Sequence, residues 1–167
     1  MNIKITNFTL HNAMGEAVRA AELIDWSLKQ KPWRAFNTSR YSWEVNGRRF
    51  ESPNNSYWCE LPDASGFICF ESEWKSDNCR LLDAYGKEIR RLTVPWDLTG
   101  LNIPKDAVMC FKNVSEPCKN PKDGKLGQFG VSAWIEGSGS GGYAEGDWYF
   151  ELDYHTGKFL WGKEIRS

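Results

Sequence analysis

The sequence lacks most of the features that assign a chemical activity directly. Its 167 residues include two histidines, five cysteines with no C-x-x-C pair, and no run of His, Cys, Asp or Glu at the spacing of a metal site. No apolar run approaches the length of about 20 residues that a membrane-spanning helix needs. We therefore predict no metal, no cofactor and no membrane partner.

An export signal is also missing, because the first 14 residues have neither a basic region nor an apolar one. Cys69 and Cys110 lie inside apolar runs, where a thiol usually acts as a small buried hydrophobe. These features predict a reduced, cytoplasmic protein. In an exported chain Cys110 and Cys118 could instead close a small loop, and the sequence leaves that pairing open.

Net charge is close to zero, at −1, which argues against general attraction to nucleic acid or membranes. The charge is nevertheless uneven: residues 29–49 carry six basic residues against Glu44 alone, and residues 136–153 carry five acidic residues and no base. Such asymmetry steers partners. Nine tryptophans are more than a core needs, so we expect some of them at a contact surface.

One stretch has helical periodicity, over residues of about 13–30, within a chain whose length fits a single domain, 1–167. Asn12 is a suitable N-cap and Pro32 ends the pattern. We expect the helix to cover a sheet with its apolar stripe, while Trp26 lies away from that stripe. The stripe consists of Met14, Ala17, Ala20, Ala21, Ile24 and Leu28.

Strand and turn signals dominate from about residue 40 to residue 165. Asn46-Gly47 is the pair that a type I′ hairpin turn requires. The apolar run 106–114 predicts an interior strand, and the alternation over 147–154 predicts a sheet packed on one side. The predicted fold class is mainly β (α+β), with the helix covering a largely antiparallel, meander-like sheet or an incomplete propeller or barrel.

Residues 81–92 and 151–161 share a Leu-Asp pair, a short turn, Gly-Lys and a following apolar segment. These hairpins resemble those of quinoprotein-type propellers, where glycine adopts a positive φ and aspartate bonds the local backbone. A propeller needs at least four blades of about 40–50 residues. The resemblance therefore implies shared turn chemistry and no cofactor.

Three other features suggest chemistry without completing it. Residues 137–142, "GSGSGG", satisfy G-x-G-x-x-G, but a strand follows where a dinucleotide site needs a helix. His11 and His155 could form the acid–base pair of a metal-independent hydrolase or nuclease. The basic and aromatic segment 29–50 could hold nucleic acid or another ligand by stacking. No supporting motif accompanies either alternative.

Protein recognition is the remaining interpretation. Aromatic anchors ringed by charge are typical of tight interfaces, and a glycine loop can adapt to a partner. We predict partner contacts in two acidic regions, one around a tryptophan and one beside the glycine loop. The predicted residues are Glu71, Glu73, Trp74, Asp77, Tyr143, Glu145, Asp147 and Glu151.

The segment "LLDAYGKEIRRLTVPWDLTG", residues 81–100, together with the size and tryptophan content, resembles the small cytoplasmic immunity proteins of bacterial toxin–immunity systems. These include the partners of contact-dependent growth inhibition toxins. The resemblance implies a non-enzymatic protein that binds a cognate toxin, for example a nuclease, and masks its active site.

Overall fold

The computed structural model describes residues 3–53, 56–101, 108–136 and 146–165, with the backbone alone for residues 135 and 136. Antiparallel strands dominate these ranges, which confirms the mainly β class. One helix, α1 (Leu23–Leu28), follows a 3₁₀ turn at Ala20–Glu22. The strands are β1 (Ile5–Asn12), β2 (Ala17–Arg19), β3 (Thr38–Val45), β4 (Arg48–Pro53), β5 (Tyr57–Glu60), β6 (Gly66–Phe70), β7 (Cys79–Asp83), β8 (Glu88–Leu92), β9 (Val108–Ser115), β10 (Gly130–Glu136), β11 (Gly146–Asp153) and β12 (Lys158–Ile165).

The strands form three sheets of four. The first has the order β2-β1-β3-β4, the second β5-β6-β7-β8 and the third β12-β11-β10-β9. In the second and third sheets every strand pairs with its neighbour in the chain, which is a simple meander. The architectures that the sequence left open thus resolve into three antiparallel sheets, two of which are meanders, with no closed barrel in the described ranges.

The second sheet is the middle layer of the molecule. All five residues of β6 are buried, and alternate side chains enter different cores. Phe67 and Cys69 pack with the first sheet, whereas Ile68 and Phe70 pack with the third. The continuous apolar sequence of β6 follows from this burial on both faces.

The predicted helix over about 13–30 is wrong in its first half. Residues Ala17–Arg19 form β2, which pairs with β1. Asn12 does not cap a helix: its side-chain oxygen accepts two backbone N–H groups of the following turn, at 3.1 and 2.9 Å. Gly15 provides the positive φ, +85°, which a hairpin turn often needs. The chain therefore turns back as a strand before α1 begins.

The helix also presents the opposite face from the one predicted. Leu23 packs against the first core, and the Trp26 ring meets Phe36 edge-on at 5.1 Å. Ile24 and Leu28 of the predicted inward stripe are instead 76% and 74% exposed. Core contact is therefore made by Leu23 and Trp26, and an apolar ridge faces outwards.

A second correction concerns β9, which the sequence predicted to be an interior strand. It is an edge strand of the third sheet and pairs with β10 alone among the described strands. Its apolar character comes from Met109 and Phe111, which enter the core between the second and third sheets.

Across the described ranges, no helix has both the length and the apolar character that a membrane crossing demands.

Candidate partner-binding surface

The loop between β6 and β7, residues 71–78, carries half of the predicted contact residues. Asn78, at its end, is 1% exposed. Its side-chain amide donates to the carbonyls of Glu71, at 3.0 Å, and of Phe111, at 2.8 Å. Its side-chain oxygen accepts the N–H of Phe111 at 2.8 Å. Asn78 therefore ties the loop of the second sheet to β9 of the third.

Two of the three carboxylates of this loop, those of Glu71 and Glu73, are paired with bases, which sequence reasoning missed. Arg91 of β8 donates to Glu71 at 2.5 Å and to the Asp77 carbonyl at 3.0 Å. Lys75 lies 3.7 Å from Glu71 and 3.3 Å from Glu73. The hydrogen bond from Arg91 is the main cause that lowers the pKa of the Glu71 carboxyl. The expected acidic cluster is thus an ion-pair network of small net charge.

Trp74 stands beside a groove of about 620 Å³, which we name the Trp74 groove. Its walls are residues 56–57 at the start of β5, Phe70 at the end of β6, four residues of the following loop and residues 110–113 of β9. The four loop residues are Glu71, Ser72, Trp74 and Asn78. Trp74 is 47% exposed and Tyr57 is 52% exposed. The groove therefore combines two solvent-facing aromatic rings with β5 and β9, which are edge strands of two different sheets.

Glu151 does not lie on a surface rim, because it is 5% exposed. Its carboxylate accepts the backbone N–H of Gln128 at 2.7 Å and the Tyr149 hydroxyl at 2.5 Å. A side chain at Gly127 or Gly130 would collide with Glu151 or Tyr149. These glycines let residues 127–130 cover β11, so Glu151 holds that segment in place and does not face a partner.

The other residues predicted near the glycine loop are placed less fully. Asp147 is half-buried at the start of β11, and one of its carboxylate oxygens is buried without a hydrogen bond among the described residues. Tyr143, Glu145 and the glycine loop lie outside the described residues. The predicted contact residues that the structure brings together are therefore those of the 71–78 loop.

The two histidines belong to separate environments. His11 of β1 bonds Ser42 at 2.7 Å, and partial burial followed by the charge of Arg40 lowers its pKa. His155 lies in the β11–β12 turn, with its ring nitrogen 4.0 Å from the Asp63 carboxylate. No group of three or more metal-binding side chains occurs in the described part of the chain. The geometry provides no shared acid–base site.

The basic and aromatic segment 29–50 does not present a stacking platform. Tyr41 and Trp43 are 1% and 2% exposed, and the Trp43 ring N–H donates to the Ala84 carbonyl at 2.8 Å. Arg34 donates both terminal nitrogens to Glu16 at 2.7 Å. Two of the rings that the alternative function needs at the surface are therefore part of the core, whereas Trp33 is 72% exposed.

Comparison with known proteins gives one informative likeness. No family model and no curated protein matches the chain. Among solved structures, one chain of the complex of Tne2 with Tni2 has the same fold, with a TM-score of 0.61 and 12% sequence identity. The match covers 97% of this chain and 99% of that one. Tne2 and Tni2 are a toxin–immunity pair, so the predicted resemblance is confirmed for the fold.

Proposed function

We propose that the protein binds a cognate bacterial toxin and neutralises it by covering the active site of the toxin, without catalysing a reaction itself. The observation that carries the proposal is the fold shared, over nearly the whole of both chains, with a chain of a toxin–immunity complex. The lack of a common histidine site agrees with a binding role. Its place of action would be the bacterial cytoplasm, as in contact-dependent growth inhibition.

The Trp74 groove is the contact surface that this proposal favours. Aromatic side chains dominate binding energy when they are surrounded by polar groups that exclude water. Trp74 and Tyr57 provide such rings, Glu71 lines the same groove, and Glu73 and Asp77 lie on the same loop. The ion pairs and the Asn78 hydrogen bonds fix the loop before binding, which lowers the entropy cost of association.

The charge of this surface bears on the class of toxin. A strongly acidic patch would favour a toxin with a basic nucleic-acid site. Because Lys75 and Arg91 neutralise most of the charge of Glu71 and Glu73, the surface does not favour a nuclease over other toxins. Aromatic contact and shape are the features on which specificity would depend here.

The test is Trp74→Ala, assayed with the candidate toxin encoded beside this gene. We expect the variant to lose at least about 2 kcal/mol of binding free energy, about a 30-fold weaker affinity in titration calorimetry. Growth protection in cells that express the toxin should fall in parallel. Trp33→Ala is the matched control, because Trp33 is 72% exposed and lies outside the Trp74 groove.

The possible outcomes distinguish the proposed toxin neutralisation from the proposed contact at the Trp74 groove. If the wild-type protein neither binds nor neutralises the toxin, the proposed function is refuted. If it neutralises the toxin and Trp74→Ala does so equally well, the function stands and the Trp74 groove is not the contact.

A further inference from the structure

The outward ridge of α1 is an apolar feature that neither the core nor the Trp74 groove uses. Exposure along the helix is periodic: Ile24, Asp25, Leu28 and Lys29 are exposed, while the intervening positions turn towards the protein. Isolated exposed apolar residues are ordinary in soluble proteins, but a contiguous patch marks an interaction site. Here two aliphatic side chains four residues apart form one ridge.

Two further exposed side chains occur in the segments that flank the helix, since Met14 is 77% exposed and Trp33 is 72% exposed. Arg34 joins these segments. Its guanidinium bonds Glu16, lies 4.8 Å from the centre of the Trp26 ring and approaches the Met14 sulfur at 3.9 Å. Through these contacts Arg34 fixes the positions of Met14, Trp33 and α1 relative to one another.

Charge is ordered along the ridge. Glu22 and Asp25 lie towards the start of the helix, and Lys29 and Lys31 lie at and beyond its end. None of these four side chains forms an ion pair with another residue in the described part of the chain. A partner that completes this surface must bring positive charge to one end, negative charge to the other, and apolar groups between them.

A second copy of this chain meets that requirement. When two such helices pack antiparallel about a two-fold axis, Ile24 of one lies beside Leu28 of the other. The same packing brings Asp25 of one copy within side-chain reach of Lys29 of the other. A two-fold interface requires such a self-complementary surface, in which each contact occurs twice.

We propose that the exposed face of α1 is a homodimer contact, formed by Ile24 and Leu28 and aligned by the Asp25–Lys29 pair across the axis. The helix has six residues, so the interface is smaller than that of permanent dimers. The expected assembly is a dimer with a dissociation constant on the order of 10–100 μM. The inference stands independently of the proposed toxin binding.

The experiment is sedimentation velocity of the full chain over a concentration range that spans this constant. Wild type should pass from monomer to dimer as concentration rises. Asp25→Lys and Lys29→Asp should each weaken self-association at least tenfold, because each places like charges opposite one another. An equimolar mixture of the two single variants should associate again, since opposite charges then meet across the axis.

Ile24→Glu with Leu28→Glu should abolish the dimer. Leu160→Glu, at a leucine of β12 that is 56% exposed, is the control and should leave it unchanged. Far-ultraviolet circular dichroism melts establish that each variant is folded. A wild type that stays monomeric throughout overturns the proposal, as does a mixture that fails to associate. A monomeric wild type whose toxin binding depends on Ile24 would assign this face to the toxin instead.

Discussion

Replacing Asn78 by alanine removes the side chain that joins the second and third sheets beside the Trp74 groove. The amide of Asn78 pairs with both the N–H and the C=O of Phe111, as a neighbouring strand would. Phe111 is 2% exposed, so its peptide groups have little access to solvent on the core side. Alanine in place of Asn78 leaves both groups without a protein partner.

The expected cost follows from those two peptide groups. Leaving a buried donor or acceptor unpaired costs about 1–3 kcal/mol, and about 1.5 kcal/mol for each gives a loss of about 3 kcal/mol. The third hydrogen bond, to the Glu71 carbonyl, adds little because that carbonyl can turn to water. With an unfolding slope of about 2 kcal/mol per molar urea, the midpoint should fall by about 1.5 M.

Urea unfolding followed by tryptophan fluorescence measures this loss. The control is Glu116→Ala, at an exposed residue just after the same strand whose side chain has no hydrogen bond or ion pair among the described residues, and it should change stability by less than about 0.5 kcal/mol. A loss for Asn78→Ala as small as that of the control would refute the reasoning. It would mean that water from the groove replaces the amide at no cost and that Asn78 does not fix the loop.

Two further predictions concern buried and paired carboxylates. Glu151→Ala should lower the free energy of unfolding by about 3 kcal/mol in urea titrations, because it unpairs backbone N–H groups, whereas Glu151→Gln should cost about 1 kcal/mol. An equal loss in both would refute the hydrogen-bonding role. The hydrogen bond from Arg34 is the main cause that lowers the pKa of the Glu16 carboxyl from its ordinary 4.5 to about 2. This pair should stabilise the fold above pH 4.5 and lose its effect as pH falls towards 2. Melting curves of wild type and Arg34→Gln should therefore converge over that range, and a constant difference would contradict the assignment.

Local turn chemistry is the part of the fold that the sequence predicts well. The Asn46-Gly47 pair adopts positive φ at both residues, +51° and +77°, as a type I′ turn requires. Gly86 and Gly157 have φ of +80° and +75° in the two hairpins that resemble propeller hairpins. These predictions succeed because a few residues decide each turn without help from the rest of the chain.

The N-terminal segment shows why periodicity alone can mislead. Apolar residues over about 13–30 have helical spacing, yet Asn12 and Gly15 form a turn first, and β2 then pairs with β1. Periodicity identifies a helix face but does not state whether core or solvent lies against it. Ile24 and Leu28 point outwards because Trp26 makes the core-side contact with Phe36.

The sequence predicts only those features of the candidate site that depend on a short stretch of residues. Trp74 and its acidic neighbours are visible in a short stretch of sequence, and the structure places them on one loop. Their neutralisation by Arg91 was not visible, because Arg91 is 20 residues from Glu71 and meets it only when β8 folds beside β7. Electrostatic character is thus set by tertiary pairing, whereas aromatic content is set by the sequence.

The layered architecture limits where a contact surface can vary. Side chains of β6 enter a core on each side, so a change there alters packing in two layers at once. The loop that follows β6 carries Trp74 and Glu73 at the surface, and its ends are held by Asn78 and Arg91. We therefore expect substitutions between those anchors to alter the proposed toxin contact while the stacking of the three sheets is preserved.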